Sequence, residues 1–177
     1  MKKLNIDFDE IQKAMEDTAR DAFDYFLDSE TGDIIILSED ILNRAKSILG
    51  EEFDEDMVDY EEVIFDKEYD VPDWIEEEIE LALDIFLDDN NRFIRIPERN
   101  PNQGFAAMRE FAERIDNVQL KEHLLAILDG KGAFRRFKDA IDPFPKEKKA
   151  WYGYNAKNLR KEIVQWLKSV EIEYDHT

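Results

Sequence analysis

The chain has 177 residues, 43% of them hydrophobic and 12% aromatic, which is enough apolar material for a folded core and argues against disorder. It contains no cysteine, which excludes disulfides, thiolate catalysis and cysteine-ligated zinc. The formal net charge of −20 opposes the approach of nucleic acid to most of the surface.

The charge is divided unevenly along the chain. Residues 1–91 contain 31 acidic and 7 basic side chains, whereas residues 92–177 contain 13 acidic and 17 basic ones. We therefore expect a single domain, 1–177, with an acidic N-terminal half and a mildly basic C-terminal half. Two interpretations of the acidic half are open: a solvated surface, or a docking face for a basic protein or a surface that imitates nucleic acid.

The first predicted elements are a helix, a hairpin and a second helix. Apolar residues spaced by three and four predict a helix over about 8–23. Two apolar runs around Gly32 predict a β-hairpin over about 23–37, because glycine supplies the left-handed backbone of a tight turn. Ser38 is a suitable N-cap for a helix over about 39–49.

The middle of the chain predicts two short strands and an acidic helix. Strand-prone residues favour strands near 62–66 and 92–96. Pro72 precedes apolar residues at helical spacing, which predict a helix to about residue 88. Its outer face carries like charges that packing or a cationic partner has to compensate. The candidate partner-binding residues on this face are Glu76, Glu77, Glu80 and Asp84.

The rest of the chain has a helical pattern. Two apolar stripes end at Gly130, a further helix follows Gly132, and a last helix is predicted over about 156–170, after a break at Pro143 and Pro145. The short turns between these helices favour neighbours that pack together. The predicted fold class is therefore α+β and mainly helical, with a small antiparallel sheet built on the hairpin.

The most specific local signal runs from Gly130 to Lys138. Two glycines ahead of a helix let backbone N–H groups face an anion, and the cations that follow add charge-assisted hydrogen bonds. A structural interpretation is also open, in which the glycines separate two packed helices, Phe134, Phe137 and Ile141 fill the core, and the cations pair with the acidic half. Trp151 beside the lysines could likewise stack on bases or anchor a loop in the core. The candidate anion- or ligand-binding residues are Lys131, Gly132, Arg135, Arg136, Lys138 and Trp151.

The sequence shows neither a recognisable set of catalytic residues nor a segment that could span a membrane. His123 and His176 lack metal-ligand spacing, no Ser/His/Asp arrangement is present, and carboxylates are too abundant for one pair to be singled out. Acidic residues interrupt the amino terminus early, and no run of about 18 apolar residues occurs. We expect a cytoplasmic protein that does not enter a membrane, with no catalytic residue, no metal and no cofactor.

Several short motifs occur in one order along nearly the whole chain. The specific one is the run Gly130–Lys138, and the others are Tyr25-Phe26-Leu27-Asp28, Thr31-Gly32-Asp33, Ile96-Pro97, Phe111, Trp151-Tyr152 and Trp166-Leu167. In this combination the chain resembles the bacterial group known as uncharacterised protein family 158. The resemblance implies a small cytosolic bacterial protein of unknown function and brings no activity, cofactor or catalytic residue with it.

Two function hypotheses of different classes follow. The leading one is a non-enzymatic regulatory or adaptor module that binds a basic protein partner through its acidic face. The alternative is binding of a phosphorylated ligand or RNA at Gly130–Lys138, although the net charge disfavours nucleic acid. A carboxylate-metal hydrolase ranks third.

Overall fold

The structure is a computed structural model that describes residues 3–52 and 72–175. Within these ranges the chain forms seven helices and three strands. It divides into two compact units: unit 1 consists of Met1–Pro97 and Ile172–Thr177, and unit 2 of Glu98–Glu171. Among the helices in the described ranges, none combines the length and the apolarity that crossing a membrane requires.

The order of elements confirms the predicted fold class, which is α+β and mainly helical with a small antiparallel sheet. The elements of unit 1 are α1 (Phe8–Glu16), β1 (Phe23–Asp28), β2 (Ile34–Ser38), α2 (Glu39–Glu52), α3 (Asp73–Phe86) and β3 (Phe93–Arg95). Those of unit 2 are α4 (Pro101–Arg114), α5 (Val118–Leu128), α6 (Ala133–Ile141) and α7 (Pro145–Ser169).

The sheet has the order β2-β1-β3, with both neighbours antiparallel to β1. The predicted hairpin is confirmed: Gly32 has a φ of 87° and donates its N–H to the carbonyl oxygen of Asp28 at 2.8 Å. The strand predicted near 92–96 is confirmed as β3. The one predicted near 62–66 lies outside the described residues.

The core of unit 1 joins the sheet to α2 and α3. Ser38 caps α2, because its hydroxyl oxygen accepts a hydrogen bond from the N–H of Ile41 at 3.3 Å. Leu27, one residue along β1 from Phe26 and therefore on the other face of the sheet, is also fully buried. The buried cluster consists of Phe26, Leu37, Ile41, Leu42, Ala45, Ile48, Ile79, Ala82 and Leu83.

Two predicted helix boundaries were wrong. α1 ends at Glu16 rather than near residue 23, because the Asp17 carboxylate accepts the N–H of Ala19 in a turn that leads into β1. α7 begins at Pro145 rather than near residue 156. Proline suits the first helical position, where its missing N–H has no helical partner to lose, so Pro145 starts this helix and does not interrupt it.

The core of unit 2 lies among its four helices and contains three aromatic rings from α4, α6 and α7. Phe111, Phe137 and Trp151 meet edge to face, with ring centroids 5.0 Å apart for Phe137 and Trp151 and 5.4 Å apart for Phe111 and Trp151. Such contacts add to the burial of apolar surface. Asn100 and Asn117 cap α4 and α5 with their side-chain oxygens.

Candidate functional site

The segment Gly130–Lys138 folds as a turn that leads into α6. Gly132 precedes the helix with a φ of 67°, a left-handed conformation that glycine adopts without steric cost. Ala133 and Phe137 point into the core. The predicted cations Lys131, Arg135, Arg136 and Lys138 are all exposed, the first on the turn and the other three on α6.

The positive charges of α6 have few partners. Arg135 lies 3.9 Å from Asp139, and both side chains are largely exposed, so solvent screens this pair. Within the described part of the chain, Lys131, Arg136 and Lys138 form no ion pair. An anion that binds at these three positions therefore has to displace water from the cation and does not have to displace a carboxylate.

Phe134 and Trp151 differ in their exposure to solvent. Phe134 is 41% exposed, and its ring covers Gly104 of α4 so closely that a Cβ there would be 3.0 Å from its Cε1 atom. Trp151 is 2% exposed and belongs to the aromatic core, so it does not share the surface of the α6 cations. The adjacent Tyr152 is 58% exposed and is the aromatic ring that α7 presents to solvent there.

Helix α7 carries a row of six cations along its length. All six are exposed. At 3.6 residues per turn, Lys157, Lys161 and Lys168 lie on the side of the helix away from the buried Leu159 and Ile163, whereas Lys149 is in phase with Leu167. The acidic residues of this helix are Glu147 and Glu162, and Glu147 lies close in phase to Lys161. We call the row the cationic face of α7, and it consists of Lys146, Lys149, Lys157, Arg160, Lys161 and Lys168.

Helix α3 contains six carboxylates and no base. Four of them, which we call the acidic face of α3, are the predicted partner-binding residues Glu76, Glu77, Glu80 and Asp84; Glu77 is exposed and the other three are half-buried. Glu77, Glu80 and Asp84 follow one another at spacings of three and four, and Glu76 is one turn before Glu80. The predicted partner-binding residues therefore share one side of a helix. Trp74 of the same helix is 59% exposed.

Sequence reasoning missed a polar cluster in unit 2. Arg99 donates two hydrogen bonds to Glu162, at 3.2 and 2.9 Å, and a third to the side-chain oxygen of Asn155 at 2.6 Å. Arg99 and Glu162 are only 13% and 14% exposed. Because 63 residues separate them, no local pattern could have connected them.

Unit 1 has similar clusters around β1. Asp28, 5% exposed, accepts hydrogen bonds from Nε and Nη2 of Arg92 at 3.1 and 2.7 Å. These bonds hold the pKa of Asp28 below its ordinary value. Arg20, whose side chain is 4% exposed, donates to the carboxylate of Asp24 at 2.9 Å and to the carbonyl oxygen of Ile96 at 2.6 Å. These charges maintain the structure of the unit.

In residues 3–52 and 72–175, no three histidine, aspartate or glutamate side chains converge as metal ligands would. The described surfaces differ in charge: α3 is acidic, and α6 and α7 carry exposed cations.

Comparison with known proteins gives one match. The model of Uncharacterised protein family (UPF0158) matches residues 60–176. The chain belongs to this family. No curated protein and no solved structure matches it.

Membership of UPF0158 confirms the resemblance seen in the sequence motifs. Of the described elements, the matched range includes α3, β3 and all four helices of unit 2. It therefore contains the acidic face of α3, the cationic face of α7 and the four predicted cations at α6, which are Lys131, Arg135, Arg136 and Lys138. Because UPF0158 is uncharacterised, membership adds no substrate, cofactor or catalytic residue.

Proposed function

We propose that the protein is a non-enzymatic regulatory or adaptor module that binds a basic protein partner through the acidic face of α3. The observation that carries the proposal is the concentration of carboxylates on α3, where Glu76, Glu77 and Glu80 lie within two turns of a helix that contains no base. Like charges at this spacing destabilise a helix, and a cationic partner would relieve that repulsion.

The charge of unit 1 favours rapid association with such a partner. This unit contains 33 acidic and 9 basic side chains, a net charge of −24. A field of one sign steers an oppositely charged protein toward it and accelerates binding at low salt. The exposed ring of Trp74 supplies an aromatic anchor of the kind that dominates interface energies.

The test is capture of partners from the native host, followed by affinity measurement with the purified partner. Replacement of the acidic face of α3 by amides (Glu76→Gln, Glu77→Gln, Glu80→Gln and Asp84→Asn) should weaken binding at least tenfold and flatten its salt dependence. The matched control neutralises four exposed acids elsewhere in unit 1: Asp9, Glu16, Asp21 and Asp33. Equal binding by the two variants contradicts the proposal.

A second candidate function is the binding of RNA or a phosphorylated ligand by unit 2. The observation that favours it is the continuity of α7, which places six exposed cations along about 33 Å of helix at 1.5 Å per residue. Unit 2 contains 15 basic and 11 acidic side chains. The exposed rings of Tyr152 and Phe134 would stack on bases, while the acidic unit would limit which anions approach.

Fluorescence anisotropy with a labelled single-stranded RNA tests the second candidate. Binding should weaken steeply with salt, and Lys149→Gln with Lys157→Gln and Arg160→Gln should reduce both the affinity and the salt slope. Arg135→Ala with Arg136→Ala should weaken binding without loss of folding. The control, Lys13→Gln with Arg44→Gln and Lys46→Gln, removes the same charge from unit 1. Absence of binding at low salt rules the candidate out.

A further inference from the structure

A cavity of about 340 Å³ lies between α4 and α7 within unit 2. We call it the α4–α7 cavity, and the lining residues that matter here are Phe111, Arg114, Ile115, Lys146, Ala150 and Tyr154. Cavities that hold small ligands measure about 300–1,000 Å³, so this one suits a ligand at the small end of that range.

Four of the residues that line the α4–α7 cavity are apolar or aromatic: Phe111, Ile115, Ala150 and Tyr154. The rings of Phe111 and Tyr154 lie 5.8 Å apart, centre to centre, at 43° to each other. The Tyr154 hydroxyl donates a hydrogen bond to Glu110 at 2.6 Å, so the polar end of the tyrosine already has a partner. The ring itself is left to contact the apolar body of a ligand, beside Ile115 and Ala150.

Two cations are available at the same cavity. Arg114 lies over the ring of Tyr154, 5.7 Å from its centre, and Lys146 belongs to the first turn of α7. Within the described residues neither one forms an ion pair. Phe144, at the N-cap of α7, offers no side-chain oxygen to the free N–H groups, so the helix dipole adds positive potential at this end.

Two carboxylates restrict the charge of the ligand. Asp116 and Glu147 also line the cavity, so the local charge of the four ionisable side chains sums to zero. A polyphosphate would meet these carboxylates, whereas a single anionic group can contact Arg114 and Lys146 alone.

We propose that the α4–α7 cavity is a binding site for a small ligand that carries one anionic group on an apolar or aromatic body. The anionic group lies against Arg114 and Lys146, and the body lies between Phe111, Ile115 and Tyr154. This site is separate from the acidic face of α3, and it is not needed for the function proposed above.

The test uses two fluorescent probes with the same ring system. One is 1-anilinonaphthalene-8-sulfonate, which has a single sulfonate, and the other is N-phenyl-1-naphthylamine, which has no charge. The full-length protein should bind the sulfonate probe with one-to-one stoichiometry and more tightly than the neutral probe. Ala150→Phe fills the cavity and should abolish the binding of both, while circular dichroism confirms that the variant is folded.

The double variant Arg114→Gln with Lys146→Gln separates charge from shape. This variant should bind the sulfonate probe about tenfold more weakly and bind the neutral probe with unchanged affinity, because only the charge-assisted hydrogen bonds are lost. Lys13→Gln with Lys46→Gln is the control, since it removes the same charge from exposed positions of unit 1 and leaves the cavity lining unchanged. If both double variants reduce the affinity for the sulfonate probe equally, the proposal is overturned. If Ala150→Phe does not fold, the comparison of the double variants decides alone.

Discussion

Arg99 and Glu162 form a bidentate ion pair that joins the residues ahead of α4 to the middle of α7. Nε donates to Oε2 at 3.2 Å and Nη2 to Oε1 at 2.9 Å, while Nη1 donates to Asn155 at 2.6 Å. Both charged side chains are about nine-tenths covered, at 13% and 14% exposure. Removing one partner leaves the other charge poorly solvated, which costs more than the pair itself contributes.

Replacing Glu162 by Gln should therefore destabilise the protein by about 2–3 kcal/mol, as judged from breaking a charged hydrogen-bonded pair. Urea denaturation followed by circular dichroism measures this free energy of unfolding. Asp139→Asn is the matched control, because it breaks the exposed pair with Arg135 and should change the free energy by less than about 0.5 kcal/mol. Equal effects of the two substitutions would show that burial of the first pair is unimportant.

The contact between Asp28 and Arg92 should make stability depend on pH in the acid range. Hydrogen bonds from Arg92 hold the pKa of Asp28 below its ordinary value of 3.8. A carboxyl group with a lowered pKa in the folded state contributes stability that is complete above the unfolded pKa and is lost as the pH falls through the folded one. The contribution of Asp28 is therefore complete at neutral pH and declines below about pH 4.

The variant Asp28→Asn tests this dependence. At pH 7 it should lower the free energy of unfolding by about 2 kcal/mol, and the difference from the natural protein should shrink as the pH falls below about 4. Asp33→Asn, at an exposed position of the same hairpin, is the control. A difference that stays constant from pH 7 to pH 3 would exclude this origin of the effect.

Local patterns predicted the elements whose determinants are local. The hairpin at Gly32 and the cap at Ser38 follow from one or two residues and their neighbours, and both are confirmed. The start of α7 was predicted wrongly because Pro145 fits either a break or the first position of a helix. Only packing of the first turns of α7 in unit 2 decides between the two.

The same error obscured the candidate surfaces. When α7 is thought to begin near residue 156, Trp151 has no fixed phase relative to Leu159 and Ile163, and its lysine neighbours suggest a surface position. In the continuous helix these three residues lie on one side, and Trp151 is buried while Lys149 is exposed. Contacts such as that of Arg99 with Glu162 depend on tertiary structure and leave no periodic signal.

Two glycines with left-handed backbone should differ in their tolerance of alanine. At Gly32 a Cβ atom would lie 2.6 Å from the carbonyl oxygen of Asn5, whereas at Gly132 the nearest atom would be Cδ of Arg136 at 4.0 Å. Gly132→Ala should therefore cost only the left-handed strain, about 1–2 kcal/mol. Gly32→Ala should cost clearly more, because the strain is joined by a clash with the backbone.

Thermal and urea unfolding of both variants measure the difference between Gly32 and Gly132. Gly153→Ala is a useful reference, since Gly153 lies within α7 and a Cβ there meets nothing within 4 Å. That substitution should stabilise the protein by about 0.5–1 kcal/mol. The steric argument fails if Gly32→Ala is no more destabilising than Gly132→Ala.

Tyr25 should ionise at unusually high pH. Its hydroxyl donates a hydrogen bond to Asp17, and this bond, together with burial, raises the pKa of Tyr25 from 10.0 to about 12. Replacing Asp17 by Asn removes the charged acceptor, so the pKa of Tyr25 should fall toward 10. Ultraviolet difference titration of the folded protein measures the change, and Tyr25→Phe identifies which of the six tyrosines is responsible.

The raised pKa of Tyr25 also predicts how stability changes in alkali. Between pH 10 and about pH 12 the unfolded chain loses the Tyr25 proton while the folded chain keeps it, so the free energy of unfolding should decline over that range. Tyr25→Phe lacks this titration and should decline less steeply than the natural protein. If the free energy of unfolding declines equally for the natural protein and Tyr25→Phe, the hydrogen bond to Asp17 does not raise the pKa of Tyr25 in solution.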